Sequence, residues 1–183
     1  MEGKLIILSG PSGVGKDTIF RQLLERGLDL KKAISATTRE GRPHEVDGVN
    51  YYFKTTEEFN KLIEDNELLE WTVYNGNFYG TLKQIVEEQL VKGEKIVLVI
   101  DVQGALAIKE QYPDSLLVFI KPPNIEMLTK RLSKRGEVSQ EDIKWRLERA
   151  EYEMQQMGKY DFIIENDKLD VAVEELKERL EKL

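Results

Sequence analysis

The stretch "KLIILSGPSGVGKDT", residues 4–18, decides how this chain is read. An apolar run of strand length, Lys4–Ser9, meets a loop holding Gly10, Gly13, Gly15 and Lys16, and a segment of helical period, "KDTIFRQLLER", follows at once. A strand that turns through glycines into a helix lets successive backbone N–H groups converge on an anion, with the positive end of the helix behind them. Lys16 adds a point charge suited to the β and γ phosphates, so the expected ligand is a nucleoside triphosphate. The commonest form of this loop has Ser or Thr after the lysine, its hydroxyl reaching Mg²⁺. Here Asp17 stands in that place and Thr18 comes next. Two roles are open to Asp17: holding metal-bound water, or favouring the helix N-terminus electrostatically. Thr18 is a candidate contact for an α-phosphate.

Working outward, three further short apolar runs are read as buried strands: "KIVLVID" (95–101), "LLVFIK" (116–121) and "FIIEN" (162–166). Continuous apolarity of this kind suits a parallel sheet covered on both faces. Between the runs, "QGALAIKEQY", "IEMLTKRLSKR" and "EDIKWRLERAEYEMQQM" place apolar residues three and four apart and read as amphipathic helices. The alternation predicts an α/β fold, a doubly wound parallel sheet of the P-loop nucleoside triphosphate hydrolase type, with ligands beyond the carboxyl ends of its strands.

Residues 34–81 interrupt that alternation with a polar, turn-rich segment around Gly41, Pro43 and Gly48. A short strand "VNYYF", a helix opened by a Thr55–Glu58 capping box, and the mixed segment "LLEWTVYNGNFYGT" follow. They read as a small β-rich insertion. A second flap is expected around "KRLSKRGEVSQEDIKWRLER", with Gly136 ending one helix and Ser139 capping the next. The last stretch, "LDVAVEELKERLEKL", reads as a helix on the sheet edge.

Composition bounds the function classes. The chain has 183 residues, 40% hydrophobic and 33% charged, which suits one globular domain with inserted flaps. It has no cysteine, which excludes disulfides and thiolate metal sites. No run approaches membrane-spanning length and no export signal is evident, so a soluble, cytoplasmic protein without a membrane partner is expected. A net charge of −7 disfavours nucleic acid as a partner, although local arginines can still hold small phosphorylated ligands.

Arg39 and Arg42, three apart in the irregular stretch, can clamp a phosphate bidentately while Tyr51 and Tyr79 add neutral O–H donors. Taken alone they read as solvated loop arginines and plain strand tyrosines. His44 is the only histidine and has no evident catalytic partners, so it reads as an ordinary flap residue.

In combination, "GPSGVGK", "SATTREGRPHEVDGVNYYF", "LLEWTVYNGNFYGT", "IDVQGA", "FIKPPNIEMLTKRLSKRG", "IKWRLERA" and "YDFIIENDKLDVAVEEL" resemble the guanylate kinase family along essentially the whole chain. The resemblance implies a core (1–33, 82–123 and 151–183) that holds ATP, an insertion (34–81) that holds GMP, and a helical lid (about 124–150). It implies transfer of the γ-phosphoryl group of ATP to GMP or dGMP, with Mg²⁺. By position it assigns Gly10, Pro11, Ser12, Gly13, Val14, Gly15, Lys16, Asp17 and Thr18 to ATP. Ser35, Glu70 and Thr81 fall at the guanine, with Gly80 beside them. Arg39, Arg42, Tyr51 and Tyr79 fall at the GMP phosphate, and Asp101 near the acceptor nucleotide. Lys16 with Arg131, Arg135 and Arg146 of the lid forms the catalytic set. Asp17, Thr18 and Asp101 are the candidates for metal contact through water.

Chemistry supports the base assignment. Guanine presents N1–H and N2–H₂ side by side, so one carboxylate accepts from both, while small hydroxyls at Ser35 and Thr81 can donate to O6. Without its neighbours, Glu70 reads as an exposed strand carboxylate. Two departures from the family pattern touch magnesium: Asp17, and Val99 where an acidic residue usually precedes the aspartate of "DVQG". Two competing readings are a guanylate-kinase-like peptide-binding module and a related P-loop kinase with another phosphorylated acceptor. The intact glycine loop and lysine argue against the first, and Glu70 with Ser35 and Thr81 against the second.

Overall fold

A computed structural model of the chain describes residues 3–133 and 139–182. Two sheets organise it. The first holds β1 (Lys4–Ser9), β2 (Lys31–Lys32), β7 (Lys95–Val99), β8 (Leu116–Lys121) and β9 (Phe162–Glu165) in the order β2-β7-β1-β8-β9, every neighbouring pair parallel. The second holds β3 (Ser35–Thr37), β4 (Tyr52–Phe53), β5 (Leu68–Tyr74) and β6 (Asn77–Leu82) in the order β4-β3-β6-β5; β3 and β4 run parallel and the other pairs antiparallel.

The continuous apolar runs are explained by burial on both faces of the parallel sheet. Successive side chains of a strand point to opposite faces. In β1, Ile6 and Leu8 join one core cluster with Ile19, Phe20 and Leu23 of α1 (Lys16–Glu25) and Ala172, Val173 and Leu176 of α7 (Leu169–Leu180). Leu5 and Ile7 join the other, with Val86 of α3 (Lys83–Val91) and Ala105 and Ile108 of α4 (Val102–Gln111). A strand with one wet face would alternate apolar and polar residues; here helices cover both faces, and every position can be apolar.

Under the second sheet, α2 (Thr56–Glu64) buries Phe59 against Ala36 and Leu68, and Phe59 stacks on Phe78 with ring centroids 5.2 Å apart. The expected capping box is present: Thr55 accepts from the Glu58 N–H and the Glu58 carboxylate accepts from the Thr55 N–H. The β5–β6 hairpin turns through Asn75 and Gly76, both at positive φ, as an Asn-Gly turn does when its twist matches the flanking strands. Helices α5 (Ile125–Ser133) and α6 (Gln140–Met154) pack through Leu128, Leu132, Leu147 and Ala150. Ser139 caps α6 by accepting from the Asp142 N–H at 3.1 Å. Gly136 lies outside the described residues.

Several boundaries differ from the sequence-based expectation. The strand expected over "VNYYF" is reduced to Tyr52–Phe53, because the turn at Gly48 takes up its start and β3 offers only a short parallel partner. The strand expected to reach Asp101 ends at Val99, since Asp101 leaves the sheet to cap α4. The long helix ends at Met154 and gives way to a 3₁₀ turn, Met157–Lys159. Among the described residues no helix is long and apolar enough to cross a membrane.

Candidate functional site

Where β1 ends, Gly10 adopts φ 135°, and a Cβ there would lie 2.1 Å from the Ile120 carbonyl oxygen. Only glycine lets the chain leave the sheet this close to β8. The loop then curls so that Lys16 Nζ donates to the Gly10 and Pro11 carbonyl oxygens at 2.6 and 3.0 Å, holding the ammonium against the loop mouth. The loop is braced by Asn166, whose amide donates to the Val14 carbonyl at 2.8 Å. Arg131 of α5 donates to the carbonyls of Asn166 and Val14 at 2.7 and 3.4 Å. Val14 itself is buried in the core.

The loop forms one wall of a cleft of about 550 Å³. Gly10, Ser12, Gly13, Gly15, Lys16 and Asp17 line it on that side, and Ser35, Arg39, Arg42, Tyr51, Glu70, Tyr79 and Gly80 on the side of the second sheet. Asp101 lines it from the end of β7 and Arg146 from α6. Residues far apart in sequence thus meet in one space. Pro11, Val14, Thr18, Thr81 and Arg131 stand next to these residues rather than on the cleft wall, and Arg135 lies outside the described residues.

The second sheet explains how Ser35, Thr81 and Glu70 come together. In the register Ser35 pairs with Thr81 across β3 and β6, and Thr81 pairs with Glu70 across β6 and β5, so three polar residues form a row over three strands. A register irregularity between Leu68 and Glu70 lets Leu68, Leu69 and Glu70 all be buried, which strict alternation would forbid. Glu70 is therefore not an exposed strand carboxylate: it is 7% exposed, and its Oε1 accepts from Thr81 Oγ1 at 2.7 Å. Burial pushes its pKa up to about 7, the negative charge of Asp101 adds to that, and the Thr81 hydroxyl opposes it. Because the single Thr81 proton is committed to Glu70, Thr81 orients the carboxylate, and Ser35 alone of the two hydroxyls remains to donate into the cleft.

Arg39 is held more firmly than a solvated loop arginine. It donates to both Glu45 carboxylate oxygens at 2.9 Å, and its guanidinium lies 5.3 Å from the centre of the Tyr51 ring. Burial opposes the guanidinium charge, yet the Glu45 contact outweighs it and raises the pKa. Glu45 also accepts from the Arg42 N–H at 2.8 Å, which is the first cause of its lowered pKa. Tyr51 packs edge-on against Tyr79, with centroids 6.3 Å apart. Asp17 stands in the first turn of α1 and accepts from Lys32 Nζ at 2.8 Å.

Sequence reasoning missed several cleft residues: Glu45, Thr72, Tyr74, Asn75, Asn77, Trp145, Arg149 and Glu153. Glu45 sits in an irregular stretch where no periodicity marks it. The signal for Arg149 was present, because Trp145, Arg149 and Glu153 recur every fourth residue and share one face of α6. Arg149 donates to Asp101 Oδ2 at 2.6 Å and to Glu153 Oε1 at 3.0 Å.

A glycine loop between strand and helix, a parallel sheet with β1 at its centre, and a cleft lined by cations define a P-loop nucleotide-binding protein of the α/β class. The guanylate kinase family model matches residues 2–183. The guanylate kinase of Gloeobacter violaceus is 50% identical over 177 residues, 97% of this chain and 86% of the relative. That of Oceanobacillus iheyensis is 48% identical over 176 residues, 96% of this chain and 85% of the relative. The crystal structure of guanylate kinase from Anaplasma phagocytophilum superimposes with a TM-score of 0.79 at 32% identity, covering 99% of this chain and 86% of that one. The chain belongs to the guanylate kinase family.

Proposed function

We propose that this chain is an ATP:GMP phosphotransferase, moving the γ-phosphoryl group of ATP to GMP or dGMP to give ADP and the corresponding diphosphate. The observation that carries this reading is that Ser35 and Glu70, joined through Thr81 in one row of the second sheet, share one cleft with the Lys16 loop. The loop from Gly10 to Thr18 takes the triphosphate. Arg39, Arg42, Tyr51 and Tyr79 hold the GMP phosphate, with Arg39 preset by Glu45. Glu70 accepts from guanine N1–H and N2–H₂, and Ser35 donates to O6. Adenine offers an unprotonated N1 and leaves the buried carboxylate unpaired, which costs about 1–3 kcal/mol or more per unmet group.

The acceptor oxygen of GMP is already an anion, so no general base is needed. The protein's work is alignment and charge neutralisation. Lys16, Arg146 and Arg131, whose guanidinium already lies against the loop at Val14, supply the positive charge. Among the described residues no group of three or more His, Asp or Glu could cage a cation. Mg²⁺ would arrive with the nucleotide and offset phosphate charge, and Asp17, Thr18 and Asp101 would reach it through water. A cytoplasmic protein acting on small nucleotides follows from this reading.

The test is turnover with MgATP across GMP, dGMP, AMP and UMP. GMP is expected to exceed AMP in kcat/KM by about 10³-fold or more. Failure of folded protein to convert GMP overturns the proposal.

A further inference from the structure

Arg149 stands at a junction that the phosphotransferase reading leaves unassigned. Its guanidinium fork is split between two carboxylates, Nη2 on Asp101 Oδ2 at 2.6 Å and Nε on Glu153 Oε1 at 3.0 Å. The side chains of Arg149, Asp101 and Glu153 are 23%, 20% and 5% exposed, so solvent screens these contacts weakly. The other Asp101 oxygen, Oδ1, accepts from the Gly104 N–H at 2.8 Å and caps α4.

Gly104 is where Asp101 meets Glu70. A Cβ at Gly104 would stand 2.8 Å from Glu70 Oε2 and 3.3 Å from Asp101 Oδ1, so two carboxylates converge on the bare face of that glycine. Like charges this close disfavour joint ionisation unless a cation offsets one of them. Arg149 is that cation. It reaches in from α6, the helix that also touches the β5–β6 hairpin, with Trp145 6.0 Å from the Tyr74 ring and the Arg146 guanidinium 5.5 Å from it.

Resting on the guanylate kinase reading above, we propose that Arg149 is a positioning residue for the acceptor: from α6 it fixes the Asp101 carboxylate beside Glu70 and balances its charge, so that docking of α6 and readiness of the base-reading carboxylate are one event. Guanine's two donors require the ionised carboxylate, whereas a protonated Glu70 would set its own O–H against them. The groups facing Glu70 are Thr81 from β6, Asp101 from the loop before α4 and the backbone of Gly104 on α4, with Arg149 and Glu153 of α6 one contact further out. An arginine's planar fork meets two carboxylates from fixed directions, whereas a lysine keeps the charge without that geometry.

The experiment measures kcat and both KM values between pH 6 and 9 for the wild type, R149K, R149M, D101N and the R149M/D101N double variant. A parallel ¹³C-carboxyl titration of Glu70 is made on the nucleotide-free proteins. For R149M the KM for GMP is expected to rise about 10-fold near pH 7.5 with the KM for ATP nearly unchanged. The Glu70 midpoint is expected to move up by about one pH unit. In the double variant residue 101 carries no charge to offset, so the midpoint is expected to return to or below the wild-type value; R149K should recover part of the loss and covers the case in which R149M does not fold. An unmoved Glu70 midpoint in R149M, or a defect confined to ATP, overturns the proposal. Because the titration needs no turnover, wild-type protein that is inactive on GMP would sink the phosphotransferase reading separately, leaving the Arg149 result to be judged on the carboxyl signal.

Discussion

Replacing Glu70 with glutamine tests the base-reading site through two opposite consequences. In the folded chain the Glu70 proton is held up to about pH 7, against an ordinary value of 4.5. The folded state therefore binds more protons than the unfolded state across that window. The stability this contributes is complete below about pH 4.5 and is lost as pH rises through about 7. Its full size is about 3 kcal/mol. Glutamine is neutral throughout, so E70Q should be more stable than the wild type at pH 8, by up to about that amount, and should lose the advantage toward pH 5. Recognition runs the other way. Charge-assisted hydrogen bonds are worth about 1.5–3 kcal/mol each, and an amide turns one acceptor into a donor facing guanine N–H. The expected loss in kcat/KM for GMP is about 10²–10³-fold, with discrimination against AMP reduced. Wild-type affinity for GMP should improve as pH rises through about 7 and then level off, by more than in E70Q, where the GMP phosphate still titrates. Thermal melts at pH 5 and 8, with steady-state assays on GMP and AMP from pH 6 to 8, check both parts. An E70Q variant less stable at pH 8 with unchanged purine preference would refute the reasoning.

Further outcomes are expected elsewhere in the cleft. K16A should lower turnover by about 10³-fold or more with a far smaller effect on the melting temperature; parallel melts and coupled ADP-release assays check this. G10A places a methyl group 2.1 Å from the Ile120 carbonyl oxygen at φ 135°, and its denaturant midpoint should report a loss of about 2 kcal/mol or more. E45Q weakens the clamp on Arg39 and should raise the KM for GMP about 10-fold with little change for ATP, as read from two-substrate kinetics. Y74A removes the ring that meets Trp145 and Arg146, a contact of about 0.5–1.5 kcal/mol, and should raise the KM for GMP by up to about 10-fold with a loss of stability no larger than that.

Much of the parallel sheet was legible because its strands are buried on both faces and so appear as unbroken apolar runs, as in Leu5–Leu8. The glycine loop was legible because its geometry is local, set by φ values within a few residues. Helix α3 escaped notice because its apolar residues Ile85, Val86, Leu90 and Val91 cluster only weakly on one face. Glu70 was readable as a base selector only through family resemblance. Its burial depends on the irregularity in β5 and on Thr81, eleven residues away in sequence and opposite it in the sheet.

By itself the sequence determined the α/β class, the loop and the caps at Thr55 and Ser139, all of which follow from backbone preferences and from the period of apolar residues over a few turns. Only the tertiary structure decided that Glu45 presets Arg39, that the Thr81 proton is committed to Glu70, and that Arg149 on α6 is the counter-charge to Asp101. These are distances between side chains on separate elements, and the charge each group feels depends on what else is buried beside it. No local pattern in the chain encodes that sum.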